Sequence, residues 1–461
     1  MVRMGGAMCA RRAFIACSLG LLLLVGLLLL LTEGQQPALA APASAPATDV
    51  YTTYLPLVLR NLTLELHPND TFYNQEWGLH VVEAPRAWYL SCGCPSALIA
   101  ILDSGVDLAH PDLASKVRTD IDYDFVNGDA VADDDYGHGT HVAGIAGAAT
   151  NNTTGVAGLG WEATLLPLKV LDANGSGSSD KLATAIRYAA DNGAAVINMS
   201  LGGLTSCLST VQQAVDYAYN RGVVLVAAAG NHGTQPNGEM FPANCNHVLG
   251  VAATEPDDRI ASYSNYGNHV SVAAPGSEIY NTGWPGDSQA DCRSGYCYKW
   301  GTSMATPHVA GLAALVRAHY PSYTPGQVAS AILDNAEDLG ASGWDPYYGC
   351  GRINAHRALS TGAHSSAPLC LGTQPWSETT TRSGEAPAAA AFAPGEVIVS
   401  FQPGAKVGAT ALRLDAAAEF LPTLGVWRLH VRPGQEEAAL AQLQADPAVI
   451  YAELNYLVSA W

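Results

Sequence analysis

Short apolar runs alternate with amphipathic stretches over residues 67–361. Residues 97–102, 194–199 and 223–229 are rich in Val, Ile and Ala and are bounded by Gly, Asp or Asn. Unbroken apolar runs of that length predict strands buried on both faces, as in a parallel sheet. Between them, residues 181–192 and 209–221 space their apolar side chains at helical intervals. Repeated strand–helix units predict an α/β fold with a doubly wound, mostly parallel sheet. Residues 394–461 carry a different pattern. Strands are expected at 396–401, near 419–424 and 426–431, and at 449–454, with a short helix around 409–414 and another at 436–444. That is a small α+β domain, joined to the large one by an Ala-, Pro-, Ser- and Thr-rich linker over residues 362–393.

The beginning of the chain differs again. Arg3, Arg11 and Arg12 precede an uncharged apolar run over residues 13–31, and Ala38-Leu39-Ala40 offers a small-residue cleavage site. A charged start, apolar middle and small-residue exit predict a signal peptide over residues 1–40, followed by a linker over 41–67. The other reading of the same run is a retained membrane anchor, since its length suits a spanning helix. Hydrophobic residues make up 48% of the 461 and charged residues 14%, which excludes a chain disordered overall, and the length leaves room for about two or three domains. With 22 Lys and Arg against 41 Asp and Glu, the net charge of −19 excludes binding nucleic acid or anionic lipid through clustered positive charge. Export also suits the cysteines that follow residue 40, an even number, as disulfides require in an oxidising compartment. Cys292 and Cys297 close a short loop and can pair locally, whereas Cys92-Gly93-Cys94 is too tight for an easy mutual bridge. No cysteine–histidine grouping has zinc spacing.

Three segments carry reactive groups. Ile101-Leu102-Asp103-Ser104-Gly105 places Asp103 at the carboxyl end of a buried strand, where α/β sheets keep their sites. Tyr136-Gly137-His138-Gly139-Thr140-His141 starts a helix at His138, and Gly301-Thr302-Ser303-Met304-Ala305-Thr306-Pro307 does the same around Ser303, with the proline expected within the first turn. A serine at a helix N-terminus sees the positive end of the dipole. Its hydroxyl attacks only when a histidine takes the proton, and that histidine is held in the right tautomer by a buried carboxylate. The order Asp103…His138…Ser303 separates this chain from other serine hydrolases. Together with Ala227-Ala228-Ala229-Gly230-Asn231, these segments resemble the four signature blocks of the subtilase serine peptidases, over about residues 70–361. The resemblance implies that Asp103 orients, His138 acts as general base and acid, Ser303 attacks, and Asn231 joins the Ser303 N–H in an oxyanion hole, with no organic cofactor. His141 and His308 take packing roles.

The same resemblance implies that a peptide substrate binds as an added β-strand. Its neighbours would be Ser200-Leu201-Gly202-Gly203 and Gly175-Ser176-Gly177, where glycines let backbone approach backbone. Met240 and His232 fall near the pocket for the residue before the scissile bond, implying an apolar or aromatic preference within a broad specificity. Structural Ca2+ is implied as well. Asp70, Asp112 and Asn152, with the backbone carbonyls of Thr150, Thr154 and Val156, match the family's strong site and give the oxygen donors calcium takes. Asp124, Asn127, Asp129 and Asp133 keep the spacing to His138 of a second site in thermitase-like members, with a solvated acidic loop as the alternative. A Cys207–Cys245 bridge is also implied, and a Cys350–Cys370 bridge would pin the linker.

Pro394–Phe401, Gly425–Leu429 and Asp446–Tyr456 resemble a fervidolysin-type propeptide. In relatives that segment runs directly into one similar to His67-Pro68-Asn69-Asp70; here it follows the catalytic domain, as in a circular permutation. The domain is expected to dock beside the active site and lay residues 455–461 into the subsites before the scissile bond, held as a product because the sequence ends at Trp461. The function expected is a secreted, monomeric, calcium-stabilised serine endopeptidase acting on peptides and proteins, with its own C-terminal domain as inhibitor. The alternatives are a narrow-specificity processing protease anchored to the cell, and a catalytically silent binding module, against which the complete Asp103, His138, Asn231 and Ser303 set argues.

Overall fold

The computed structural model describes residues 64–233, 240–371 and 391–460. The expected signal peptide, most of both linkers and Trp461 lie outside the described residues. The strands, in chain order, begin with β1 (Leu98–Asp103), β2 (Tyr123–Asp124), β3 (Thr164–Lys169), β4 (Ser176–Ser178), β5 (Val196–Met199) and β6 (Leu201–Leu204). They continue with β7 (Val224–Ala228), β8 (Met240–Phe241), β9 (Val248–Thr254), β10 (Val272–Pro275), β11 (Ile279–Thr282) and β12 (Tyr296–Lys299). The C-terminal domain adds β13 (Phe392–Phe401), β14 (Ala417–Leu421), β15 (Val426–His430) and β16 (Val449–Ala460).

The main sheet runs β10-β9-β7-β5-β1-β3-β2, and every pairing in it is parallel. All six residues of β1 are buried, as its unbroken apolar run requires. Leu98, Ala100 and Leu102 pack with Leu182, Ile186, Val211 and Val215 of the helices Ser179–Asp191 and Ser209–Asn220 on one face. The helices His138–Gly147 and Thr302–His319 pack on each other and cover the other face. Both reactive helices therefore start at the carboxyl ends of central strands, where an α/β sheet opens its crevice.

The helix Thr302–His319 departs from expectation at Pro307, which stands inside it rather than in its first turn. A proline there leaves the carbonyl four residues earlier without its helical donor. That carbonyl belongs to Ser303, and the Ser200 hydroxyl donates to it at 2.8 Å. The break in the helix thereby fastens the residue after β5 to the residue of the expected nucleophile.

A second sheet, β14-β15-β13-β16-β6-β8, crosses from the C-terminal domain into the large one, and β4 pairs with β16 as well. The described residues from Glu65 on belong to one compact unit. Val397, Val399, Leu429, Leu443, Ala452 and Leu454 make a small core of the C-terminal domain's own. Its last strand runs on to Ala460, past the residue 454 expected from local pattern, because β4 and β6 supply partners for the extra residues. Cys207–Cys245, Cys292–Cys297 and Cys350–Cys370 are disulfides. Cys94 is a free thiol beside the Ser96 hydroxyl, so the even count does not mean complete pairing.

Candidate active site

Asp103 ends β1 and is fully buried. Its Oδ1 accepts from the Ser104 N–H at 2.8 Å and from His138 Nδ1 at 2.8 Å. A carboxylate only accepts, so Nδ1 carries a proton in this bond and Nε2 is the ring nitrogen left to exchange one. His138 Nε2 is buried and has no hydrogen-bond partner among the described residues. The turn into this helix depends on Gly137, whose φ of 96° belongs to the left-handed region and whose Cβ, if present, would strike the Asp287 carboxylate.

Ser303 is the second residue of its helix, preceded by Gly301 at φ 141°. Its hydroxyl donates to the Ser200 carbonyl at 3.0 Å. Bonds between a nucleophile and its base commonly form only once substrate is in place. Asn231 follows Gly230 at the end of β7, and its Oδ1 accepts from the N–H and the hydroxyl of Thr302, both at 2.9 Å. With the oxygen held on that side, the amide N–H2 is turned away from the helix and left to donate. The Thr302 hydroxyl accepts in turn from the Gly230 N–H at 3.1 Å. Thr302 was not among the expected site residues; its only signal was its place directly before the serine.

His141 and His308 are buried. Burial holds His141 well below the usual histidine range, helped by the charge of Lys299, and lowers His308 to about 4. His308 Nδ1 donates to the Met304 carbonyl at 2.9 Å. Neither ring bonds the reactive groups.

Residues 457–460 of β16 lie between the two expected substrate strands. Leu457, Val458 and Ser459 pair with Ser178, Gly177 and Ser176 of β4, and Ser459 and Ala460 pair with Gly202 and Leu201 of β6. The Ala460 N–H donates to the Gly175 carbonyl at 2.9 Å. A Cβ on Gly203 would come within 2.8 Å of the Leu457 carbonyl, so glycine there admits the inserted strand. Val458 is fully buried in the apolar cluster that contains Leu171, Leu182 and Leu201. Met240, on β8 beside β6, is buried and lies against Gly230, next to Asn231.

Two helix N-termini of the large domain hold this strand in place. Glu453 accepts from the N–H groups of Ser209 and Thr210 at 2.8 and 2.9 Å. Asn455 accepts from the Ser179 hydroxyl at 2.9 Å and donates to Asp180 at 2.9 Å, while Arg428 donates to the other Asp180 oxygen at 2.9 Å. Exposed N–H groups at a helix start are ready partners for such side chains.

The first expected calcium set is brought together. Asp70 accepts from the N–H groups of Asn151 and Asn152 at 2.7 and 3.1 Å. Asp112 accepts from Asn152 Nδ2 and the Val156 N–H, both at 2.9 Å. The Thr154 N–H donates to Asn152 Oδ1 at 2.7 Å, and the Thr150 hydroxyl donates to the Ala148 carbonyl at 3.0 Å. Burial first, and the charge of Asp112 as well, push Asp70 up to about 6. Both carboxylates are buried, and the Tyr296 hydroxyl donates to Asp112 at 3.1 Å; a desolvated pair of carboxylates is the kind of oxygen donor set a hard cation takes.

In the second set the backbones of Asp124 and Asp129 pair in an isolated bridge. Asp124 accepts from the N–H groups of Val126 and Asn127 and from Asn127 Nδ2, Asp129 from the Val131 N–H, and Asp133 from the Leu108 N–H. Among the described residues no three His, Cys, Asp or Glu side chains form a metal-ligand cluster, so a cation at either place relies on amide and carbonyl oxygens too.

The profile of the Subtilase family matches residues 95–351. The chain belongs to the subtilase family. Thermitase of Thermoactinomyces vulgaris is 46% identical over 294 residues, 63% of this chain and 99% of that one. The thermophilic serine proteinase of Bacillus sp. (strain AK1) is 44% identical over 295 residues, 64% of this chain and 69% of its own. A solved protease of Pseudoalteromonas arctica PAMC 21717 superposes with a TM-score of 0.58 at 32% identity, covering 64% of this chain and 99% of that one. This subtilase is a serine-type protease. The fervidolysin N-terminal prodomain profile matches residues 379–455, after the catalytic part rather than before it.

Proposed function

We propose that this subtilase is a secreted, monomeric endopeptidase using an Asp103–His138–Ser303 triad, and that its C-terminal domain inhibits it by occupying the substrate cleft. The observation that carries the catalytic reading is the buried His138 ring, with Nδ1 at 2.8 Å from Asp103 and no partner for Nε2 among the described residues. Ser303 Oγ attacks the scissile carbonyl carbon while its proton passes to His138 Nε2. The developing oxyanion takes hydrogen bonds from the Asn231 amide and the Ser303 N–H. His138 then gives the proton to the leaving nitrogen, the C–N bond breaks, and a water activated by His138 hydrolyses the acyl-enzyme. Substrate residues before the cut lie between β4 and β6, with an apolar or aromatic residue preferred next to Met240.

Calcium in the Asp70, Asp112 and Asn152 region would neutralise two buried carboxylates and stiffen the loop over residues 150–156; it takes no part in the chemistry. Export rests on the signal-like start of the sequence, and no described helix is long and apolar enough to cross a membrane.

The test is labelling with a fluorophosphonate, followed by hydrolysis of a peptide library, with Ser303→Ala as blank. Labelling at Ser303 and cleavage after apolar residues support the reading. A folded chain that stays unlabelled even without residues 394–461 would sink it and leave the binding module.

A further inference from the structure

Four residues before His138, Asp134 is buried and accepts five hydrogen bonds. Its Oδ1 takes the Ser104 hydroxyl at 2.8 Å and the N–H groups of Tyr136 and Gly137 at 3.0 and 2.9 Å. Its Oδ2 takes the N–H and the hydroxyl of Thr140 at 2.9 and 2.6 Å. The Ser104 hydroxyl also accepts from the Gly139 N–H at 3.0 Å, and the Ser104 N–H is the one that donates to Asp103. A simple helix cap would need only the unpaired N–H groups of the first turn. This carboxylate additionally holds the residue that follows Asp103, so the end of β1 and the start of the His138 helix cannot shift independently.

We propose that Asp134 is a positioning residue for proton transfer from Ser303. It sets Asp103 against His138, and its buried negative charge favours the imidazolium that forms when Nε2 takes the proton. The proposal rests on the serine-peptidase reading above. Three of its five partners are backbone N–H groups, which only donate, as a carboxylate requires. The other charged groups around His138 are Asp103, the Lys299–Asp287 pair beside Gly137, and Lys169, which bonds the Ser104 carbonyl and Asp135. None of these bonds Asp134, whose partners are neutral.

The test is the pH dependence of phosphorylation of the full chain by diisopropyl fluorophosphate, followed by intact mass. In that reaction the Ser303 Oγ–P bond forms, fluoride leaves, and the serine proton passes to His138 and then to solvent. The small reagent does not need the cleft strands. Asp134→Asn should slow the plateau rate about tenfold or more, as misaligned catalytic groups do. It should also move the acid limb to lower pH by about half a unit or more, because the imidazolium loses a nearby anion. Ser104→Ala keeps the charge and cuts the tie, so its plateau should fall with the acid limb in place. Wild-type rates and limbs in both variants, with only a lowered Tm, would overturn the proposal. If Asp134→Asn does not melt cooperatively, a wild-type plateau in Ser104→Ala overturns the clamp by itself. No reaction in the wild-type chain, nor in one lacking residues 394–461, would instead overturn the peptidase reading.

Discussion

If β16 blocks the cleft, loosening its anchors must raise the rate at which the intact chain cuts a peptide. Glu453→Ala is the sharpest such change, because its carboxylate caps the helix Ser209–Asn220 across the domain boundary and leaves the cleft untouched. A hydrogen bond to a charged group contributes about 1.5–3 kcal/mol. Two are made here, but the carboxylate is drawn out of water to make them, and its pKa is raised by that burial. The net for the pair is therefore nearer the value of one, about 1.5–3 kcal/mol, or roughly 10- to 150-fold in the docking equilibrium at 1.4 kcal/mol per factor of ten. The assay is the initial rate on a chromogenic tetrapeptide in calcium, with Ser303→Ala as blank. A chain lacking residues 394–461 sets the ceiling. Wild type should start well below that ceiling, and Glu453→Ala should rise by the same roughly 10- to 150-fold or reach it. Wild type already at the ceiling would refute the blocking strand. So would an unchanged rate in a Glu453→Ala chain that melts like wild type.

Asn231→Leu should lower kcat by about 10²–10³ with little change in KM, the size of loss seen when the equivalent amide is removed from subtilisin; steady-state kinetics on the chain lacking 394–461 would show it. Chelation should lower the Tm of the Ser303→Ala chain, since a ligand at a thousandfold excess over its Kd contributes about 4 kcal/mol, and in Asp112→Asn most of the calcium-dependent part should be gone. His308 is neutral and buried, with a pKa lowered from 6.5 to about 4. The unfolded chain therefore takes up a proton that the folded one refuses, so full stability above about pH 6.5 is lost as pH falls toward 4, by up to about 3 kcal/mol from this group. Urea unfolding of Ser303→Ala between pH 7 and 4.5 should show that slope, and His308→Gln should flatten it.

The catalytic blocks were legible because each is contiguous and sits at an element's end: Asp103 where an apolar run stops, His138 and Ser303 where a glycine starts a helix. Thr302 and Asp134 were not, because their roles depend on acceptors and donors brought together from separate strands and helices. Pro307 was misplaced for the same reason. Nothing local says that the carbonyl it deprives will find the Ser200 hydroxyl. Asp124, Asp129 and Asp133 accept from nearby N–H groups, and so do Asp70 and Asp112. Charge and spacing alone do not distinguish a ligand from a turn cap.

Strand β16 shows most plainly what sequence order does and does not constrain. Its pairing with β4 and β6 requires an antiparallel strand at the right register, and its anchoring requires Glu453 and Asn455 at two helix starts. None of these requirements refers to whether the domain comes before or after the catalytic part. What the chain order does determine is the tether. Residues 362–393 join the domains covalently, and the Cys350–Cys370 disulfide ties that connection back to the catalytic part at Cys370. A tethered inhibitor competes at an effective concentration that can reach the millimolar range, so even a weak strand can outcompete dilute substrate. Cutting the tether removes that advantage without changing a single contact in the cleft. The docked strand should then be displaced by substrate in proportion to dilution, a dependence the uncut chain should not show.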